Sequence, residues 1–182
     1  MPTVEGTDKF VLQVAALAEQ ATRAAAYESL DRAGPEAVEA IVAGLSRPDP
    51  VVRKFCAALL DHNADARSVG ALVSALHDPD SGVRRLAVHA VGCQRCKRMA
   101  LEIDVVALLI DKLKHDSNLK VRQVTAHMLG NHGIADPRAI AALTHVLAIE
   151  SNAKLRSNAS WSLAQHRAKE AQPSPALQHC ER

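Results

Sequence analysis

Aromatic residues are almost missing from this chain: two Phe, one Tyr and one Trp make 2% of 182 residues. Pleated sheets are covered by aromatic and β-branched side chains, so this scarcity argues against a β-sandwich or barrel. Cysteine is also sparse. Cys56, Cys93, Cys96 and Cys180 are too few and too unevenly spread for a secreted disulfide scaffold. The longest unbroken aliphatic run, Val105 to Ile110, falls far short of a membrane span. Met1 to Phe10 carries Glu5 and Asp8 without a basic leader, so no signal peptide is expected. No charge sign dominates, since 22 Lys+Arg face 20 Asp+Glu for a net +2, which does not announce a nucleic-acid binder. No GxGxxG, P-loop, HExxH or GxSxG motif occurs. What the chain does have is 33 alanines within a 48% hydrophobic composition. That is the make-up of a helical protein packed through small side chains, in a soluble, reducing, cytoplasmic setting.

Self-similarity organises those alanines. An apolar–Arg pair, a small residue three positions after the Arg and a Leu-like residue seven after it recur along the chain. The copies are Val52-Arg53 with Cys56 and Leu60, Val83-Arg84 with Ala87 and Val91, Val121-Arg122 with Thr125 and Leu129, and Leu155-Arg156 with Ala159 and Leu163. A weaker copy is Thr22-Arg23 with Ala26 and Leu30. Successive arginines are 30, 31, 38 and 34 residues apart, the periodicity of a helical repeat array. A second helical stretch precedes each of the last four arginines: Glu36–Leu45, Arg67–Leu76, Val105–Leu113 and Arg138–Leu147. Asp, Asn or Pro stands between the two helices, stopping one and capping the next.

These elements resemble HEAT repeats, most closely the short HEAT-like repeats named after phycobilisome lyases. Asp78-Pro79-Asp80-Ser81-Gly82-Val83-Arg84, continuing to Ala87 and Gly92, is the best copy, and the likeness covers about residues 20 to 166. It implies an all-α fold: a right-handed α-α superhelix of about five helical hairpins. It also implies a binding scaffold more often than an enzyme or lyase subunit. The expected organisation is an N-terminal capping helix or degenerate repeat at 1–34, HEAT-like repeats at 35–167 and a flexible tail at 168–182. Phe10, Val11, Val14 and Leu17, in the strongly helical stretch from Asp8 to Arg32, are expected to cap the first core.

Counting from each repeat arginine, positions −1, +2, +3, +6 and +7 share an arc of the second helix and form the expected core. Arg53, Arg84, Arg122 and Arg156 lie at its edge. Their periodicity reads as structural, each bonding the carbonyls or the acid of an adjacent turn, such as Asp78, Asp116 or Glu150. The opposite arc holds +1, +4, +5 and +8. Column +4 is small (Ala57, Val88, Ala126, Ser160), the floor of a shallow strip. Lys54, Arg85, Gln123 at +1 and His89, His127, Trp161 at +5 are the candidate protein contacts, because Trp and Arg commonly anchor interfaces. By the resemblance, this arc is concave and faces a partner protein.

The 38-residue interval carries an insertion, Gly92 to Met99, expected to form a loop on one edge. Within it Cys93-x-x-Cys96 has the spacing of half a zinc site or of a redox pair. The further ligands considered are His89, His62 and His132. Arg95, Lys97 and Arg98 are expected to lower the thiol pKa. Cys56, in the small-residue column, is expected to be an inert buried thiol. The main functional expectation is a non-enzymatic scaffold with no resident cofactor, bound to another protein and not to membrane or nucleic acid. The alternatives are a HEAT-like DNA-glycosylase-type nucleic-acid binder and a bilin lyase or chaperone subunit.

Overall fold

The computed structural model describes residues 4–93, 96, 101–131 and 135–171. Ten α-helices and no strand are found among them: α1 (Val4–Ala16), α2 (Gln20–Ala33), α3 (Val38–Gly44), α4 (Pro50–Asn63), α5 (Val69–Ala75), α6 (Ser81–Gly92), α7 (Val105–His115), α8 (Leu119–Gly130), α9 (Pro137–Ile149) and α10 (Ala153–Ala171). Odd-numbered helices pair with the even-numbered ones that follow, while α4, α6, α8 and α10 pack side by side. The result is an all-α solenoid. One continuous core runs through it, from Val14 and Leu17 to Leu155 and Leu163.

The turn residues do what their chemistry requires. Asp49, Asp80 and Asn118 accept hydrogen bonds from the first backbone N–H groups of α4, α6 and α8. Asn152 does the same for Leu155 at the start of α10. Asp104 and Asp136 cap α7 and α9, and Pro50 and Pro137 occupy first-turn positions whose N–H is not needed. Two of the first helices are shorter than their sequence spans. A 3-10 turn at Gly34–Glu36, which contains Pro35, precedes α3, and a capping box between Asp65 and Ser68 forms a second such turn before α5.

The N-terminal stretch is helical on both sides of a turn. It is two helices, because the chain turns at 17–19. Arg23 fastens that turn by donating to the carbonyls of Leu17 and Ala18 at 2.7 and 2.6 Å, and the Thr22 hydroxyl donates to Ala16 O at 2.9 Å. Val14 and Leu17 are buried and Phe10 half-buried, but Val11 is 47% exposed and does not join the core. At the other end α10 continues through Ala171, past the expected helical limit near residue 167. Cys180 lies outside the described residues.

Arg53 and Arg84 each tie two successive turns together. Arg53 donates from Nη1 to the carbonyls of Arg47 and Pro48 in its own turn, and from Nε and Nη2 to both Asp78 oxygens in the next (2.7 and 2.9 Å). Arg84 repeats the arrangement with the carbonyls of Asp78 and Pro79 and with both oxygens of Asp116 (2.8 and 3.0 Å). Arg122 donates to Asp116 O at 3.0 Å and stands 3.7 Å from Glu150. Arg156 reaches the Leu147 and Glu150 carbonyls. Burial is the largest single influence on Asp78 and Asp116 and works against their charge, but the guanidinium and backbone hydrogen bonds and the nearby cations together outweigh it and hold both carboxyls below the usual carboxylate range.

Candidate functional site

Packing of the even-numbered helices decides which side chains face solvent. Ala57, Val88 and Ala126 in column +4 are fully buried. They are therefore contacts between neighbouring second helices, not the floor of a strip; only Ser160, beyond which no further helix packs among the described residues, is exposed. Column +8 is likewise inside at Asp61, Gly92 and Gly130, with only Ala164 of the last repeat exposed. In compensation the +2 residues Phe55, Leu86 and Val124 are only half-buried. The buried arc is rotated from its expected centre because a solenoid helix has neighbours on two flanks as well as beneath it.

Two rows remain on the open face. In the first, Arg85 and Gln123 line a hollow of about 500 Å³ together with Ser81, Gly82, Asn118, Lys120 and Val124. Lys54 lies against Gly82, its Cε 3.0 Å from where a Cβ would stand. Gln123 is held by donating to the Asn152 side chain at 3.0 Å, while its carbonyl accepts from Asn158 at 2.7 Å. In the second row, the His127 and Trp161 rings stack at 4.2 Å with 26° between planes. Partial burial first, then the charges of Lys154 and His89, pushes the His127 pKa below its ordinary value. Trp161 is 36% exposed, so one ring face is packed and the rest is open to a partner.

His89 belongs to this second row but turns toward a different set of groups. Its Nδ1 lies 3.1 Å from Asp61 Oδ1, and the Cys93 and Cys96 sulfurs are 2.9 Å apart beside them. One ligand atom from each of Asp61, His89, Cys93 and Cys96 lies within 4.8 Å of all the others. His62 is outside this group, half-exposed at 3.8 Å from Asp31 and 3.6 Å from the second oxygen of Asp61. His132 lies outside the described residues, as do Arg95, Lys97 and Arg98. The expected lowering of the thiol pKa is not found at Cys96. Its hydrogen bond with Cys93, burial and the nearby Asp61 carboxylate push it up to about 12. Burial likewise pushes the Cys56 thiol up to about 12.

A family model for HEAT repeats matches residues 9–92, 69–164 and 106–180. The chain belongs to the HEAT-repeat family. No curated protein sequence matches it. Among solved structures, it is similar to the complex of CpcE and CpcF of phycocyanin lyase from Nostoc sp. PCC7120, at 19% identity and TM-score 0.70, covering 84% of this chain and 96% of that one. A designed armadillo repeat protein in complex with the peptide (KR)4 aligns at 18% identity and TM-score 0.57, covering 86% of this chain and 81% of that one. An engineered protein aligns at 21% identity and TM-score 0.58, covering 87% and 81%. These likenesses establish the fold shared by HEAT and armadillo solenoids.

Within the HEAT repeats, Asp61 is the functional candidate that sequence reasoning passed over. A signal was present. Asp61 stands eight residues after its repeat arginine, where the next two repeats carry Gly92 and Gly130. An acid buried where the next two repeats carry glycine has little packing purpose and needs a partner.

Proposed function

We propose that this HEAT-repeat protein is a non-enzymatic scaffold that holds a segment of another protein along the face built by α4, α6, α8 and α10. The carrying observation is that Lys54, Arg85, His127 and Trp161 lie on a solvent-facing side of consecutive second helices, with Gln123 oriented between them. Four cations border that face, Lys54, Arg85, Lys120 and Lys154, and among the described residues none of them forms an ion pair with an acid. The face therefore suits an acidic segment carrying an aromatic or aliphatic anchor for Trp161. By analogy with other HEAT solenoids the face is concave, and the rigid helices would present these contacts without reorganisation. A cytoplasmic setting belongs to this reading.

The test is affinity capture from the native cell with the wild-type chain and with Arg85→Ala/Trp161→Ala. Capture of a defined partner by the wild type and its loss in the double variant, with helicity by circular dichroism intact, is the expected result. Unchanged capture by the double variant overturns the placement. Salt-dependent retention of the chain on duplex DNA in place of a protein partner would favour the nucleic-acid reading.

A further inference from the structure

We propose that Asp61, His89, Cys93 and Cys96 form a binding site for one zinc ion, which clips two successive repeats together. The four groups come from three places: Asp61 from the last turn of α4, His89 from the last turn of α6, and the two cysteines from the chain leaving α6. His89 and Cys93 are four residues apart and share a helical face, and the Cys93 N–H still donates to the His89 carbonyl at 2.9 Å. Helical geometry therefore holds these two ligands in register, and Cys96 folds back onto Cys93. Asp61 and Cys93 are buried, while His89 and Cys96 are half-buried, which leaves an entry route for a cation.

The donor set selects the ion. Two sulfurs with one imidazole nitrogen suit zinc and exclude calcium or magnesium, which take oxygen ligands. Zinc–sulfur bonds of about 2.3 Å and zinc–nitrogen or –oxygen bonds of about 2.0–2.2 Å, set tetrahedrally, place ligand atoms roughly 3.3–3.8 Å apart. The groups already stand at 2.9 Å (sulfur to sulfur), 3.1 Å (His89 to Asp61) and within 4.8 Å overall, so shifts of about 1 Å or less close the site. Four protein ligands fill the tetrahedron, so the ion is structural rather than catalytic. On binding, the cysteines give up their thiol protons to solvent, no group is oxidised, and the carboxylate and imidazole donate lone pairs. The clip ties Cys93 and Cys96 to α4 beside the open face. It stands independently of the partner reading, whose test uses Arg85 and Trp161.

The experiment uses the full chain in a Cys180→Ser background, with zinc content measured by elemental mass spectrometry after gel filtration. Zinc affinity is then obtained by competition with a chromophoric chelator, and cobalt substitution reports geometry. The expected result is one zinc per chain, with a thiolate-to-cobalt charge-transfer band and the ligand-field bands of a tetrahedral ion. Cys93→Ser abolishes the site. Asp61→Asn and His89→Ala, each checked for retained helicity, weaken it by about 10–100-fold or more, and His62→Ala leaves it unchanged. Absence of stoichiometric zinc from a chain whose two thiols titrate as free overturns the proposal. So does a Cys93–Cys96 disulfide in protein kept under reducing conditions, or full zinc retention by the Asp61→Asn/His89→Ala variant. Cys96→Ser, at the less buried sulfur, covers the case in which Cys93→Ser fails to fold: retained affinity there is also fatal.

Discussion

The seam between α4 and α6 and the seam between α8 and α10 occupy equivalent places in the repeat, yet different chemistry holds each. At the first, the Arg53 guanidinium grips both oxygens of Asp78, and Asp61 meets His89 across the helices. At the last, Arg122 stands 3.7 Å from Glu150 and the junction depends on contact of another kind. Gly130 admits Ser162 and Trp161 so closely that an added Cβ would lie 2.7 Å from Ser162 Cα and 2.8 Å from the indole. Across that gap α10 donates to carbonyls of α8: Ser162 to Ala126 O at 2.6 Å, Asn158 to Gln123 O at 2.7 Å and Lys169 to Gly130 O at 2.9 Å. Buried His166 accepts from the Asp136 N–H on one ring nitrogen, so the other carries the proton it donates to Leu129 O at 3.0 Å. The repeat fixes which positions face one another; what stands there, a charged pair or a glycine notch, is free to vary.

The largest difference between the seams should appear in their arginines. Arg53→Ala strands a carboxylate whose side chain is only 8% exposed, with the Asp80 N–H as its remaining support. A loss of about 3 kcal/mol is expected, at the low end for breaking a buried pair. Arg122→Ala, across a longer and wetter gap, should cost under about 1 kcal/mol. Urea unfolding of both variants checks this. Equal costs would mean that the charged ladder contributes evenly along the solenoid and that the seams do not differ in this respect.

The next effect reverses the comparison. Gly130→Ala forces a methyl group against the backbone of α10, which cannot rotate away, and should cost about 1–3 kcal/mol. Asp61→Ala removes an acid from the equivalent column at the first seam, where no glycine notch exists. In chelator-treated protein it should change stability by no more than about 1 kcal/mol, because alanine's helix propensity offsets part of the lost hydrogen bonding. A Gly130→Ala variant as stable as the wild type would show that the last seam has slack and that its close approach is incidental.

The array itself was legible in the sequence because it rests on period. Arginine spacing, Asp and Asn caps and alternating helical stretches are local signals, and the helices follow them. The turn at 17–19 was not legible, since it is fastened by Arg23 reaching back to carbonyls rather than by Gly or Pro. Nor was the burial of Ala57, Val88 and Ala126. A helical wheel drawn for one helix has a single inside, whereas a helix in a stack is covered on its flanks too. The same omission hid Asp61. Its partner His89 is 28 residues away in sequence, and only the lateral packing of α4 on α6 brings them together. Trp161 could be placed on the open face from its register, but its stacking on His127 depends on α10 lying beside α8.

The smallest effect concerns that stack. His127 is partly buried under Trp161, and burial, followed by the charges of Lys154 and His89, keeps its folded pKa below the ordinary imidazole value of about 6.5. As pH falls, the unfolded chain takes up this proton before the folded chain does. The stability associated with neutral His127 is therefore complete above about pH 6.5 and is lost as pH drops from there through the lower folded value. His127→Phe keeps an aromatic face for Trp161 and removes the proton. Its unfolding midpoint should decline less than that of the wild type between about pH 7 and about pH 5.5. His127 is only partly buried, so the difference should be smaller than either of the preceding effects. Parallel declines in the two proteins would show that the last seam tolerates a protonated imidazole beneath Trp161, leaving the glycine notch and the α10-to-α8 hydrogen bonds to hold it.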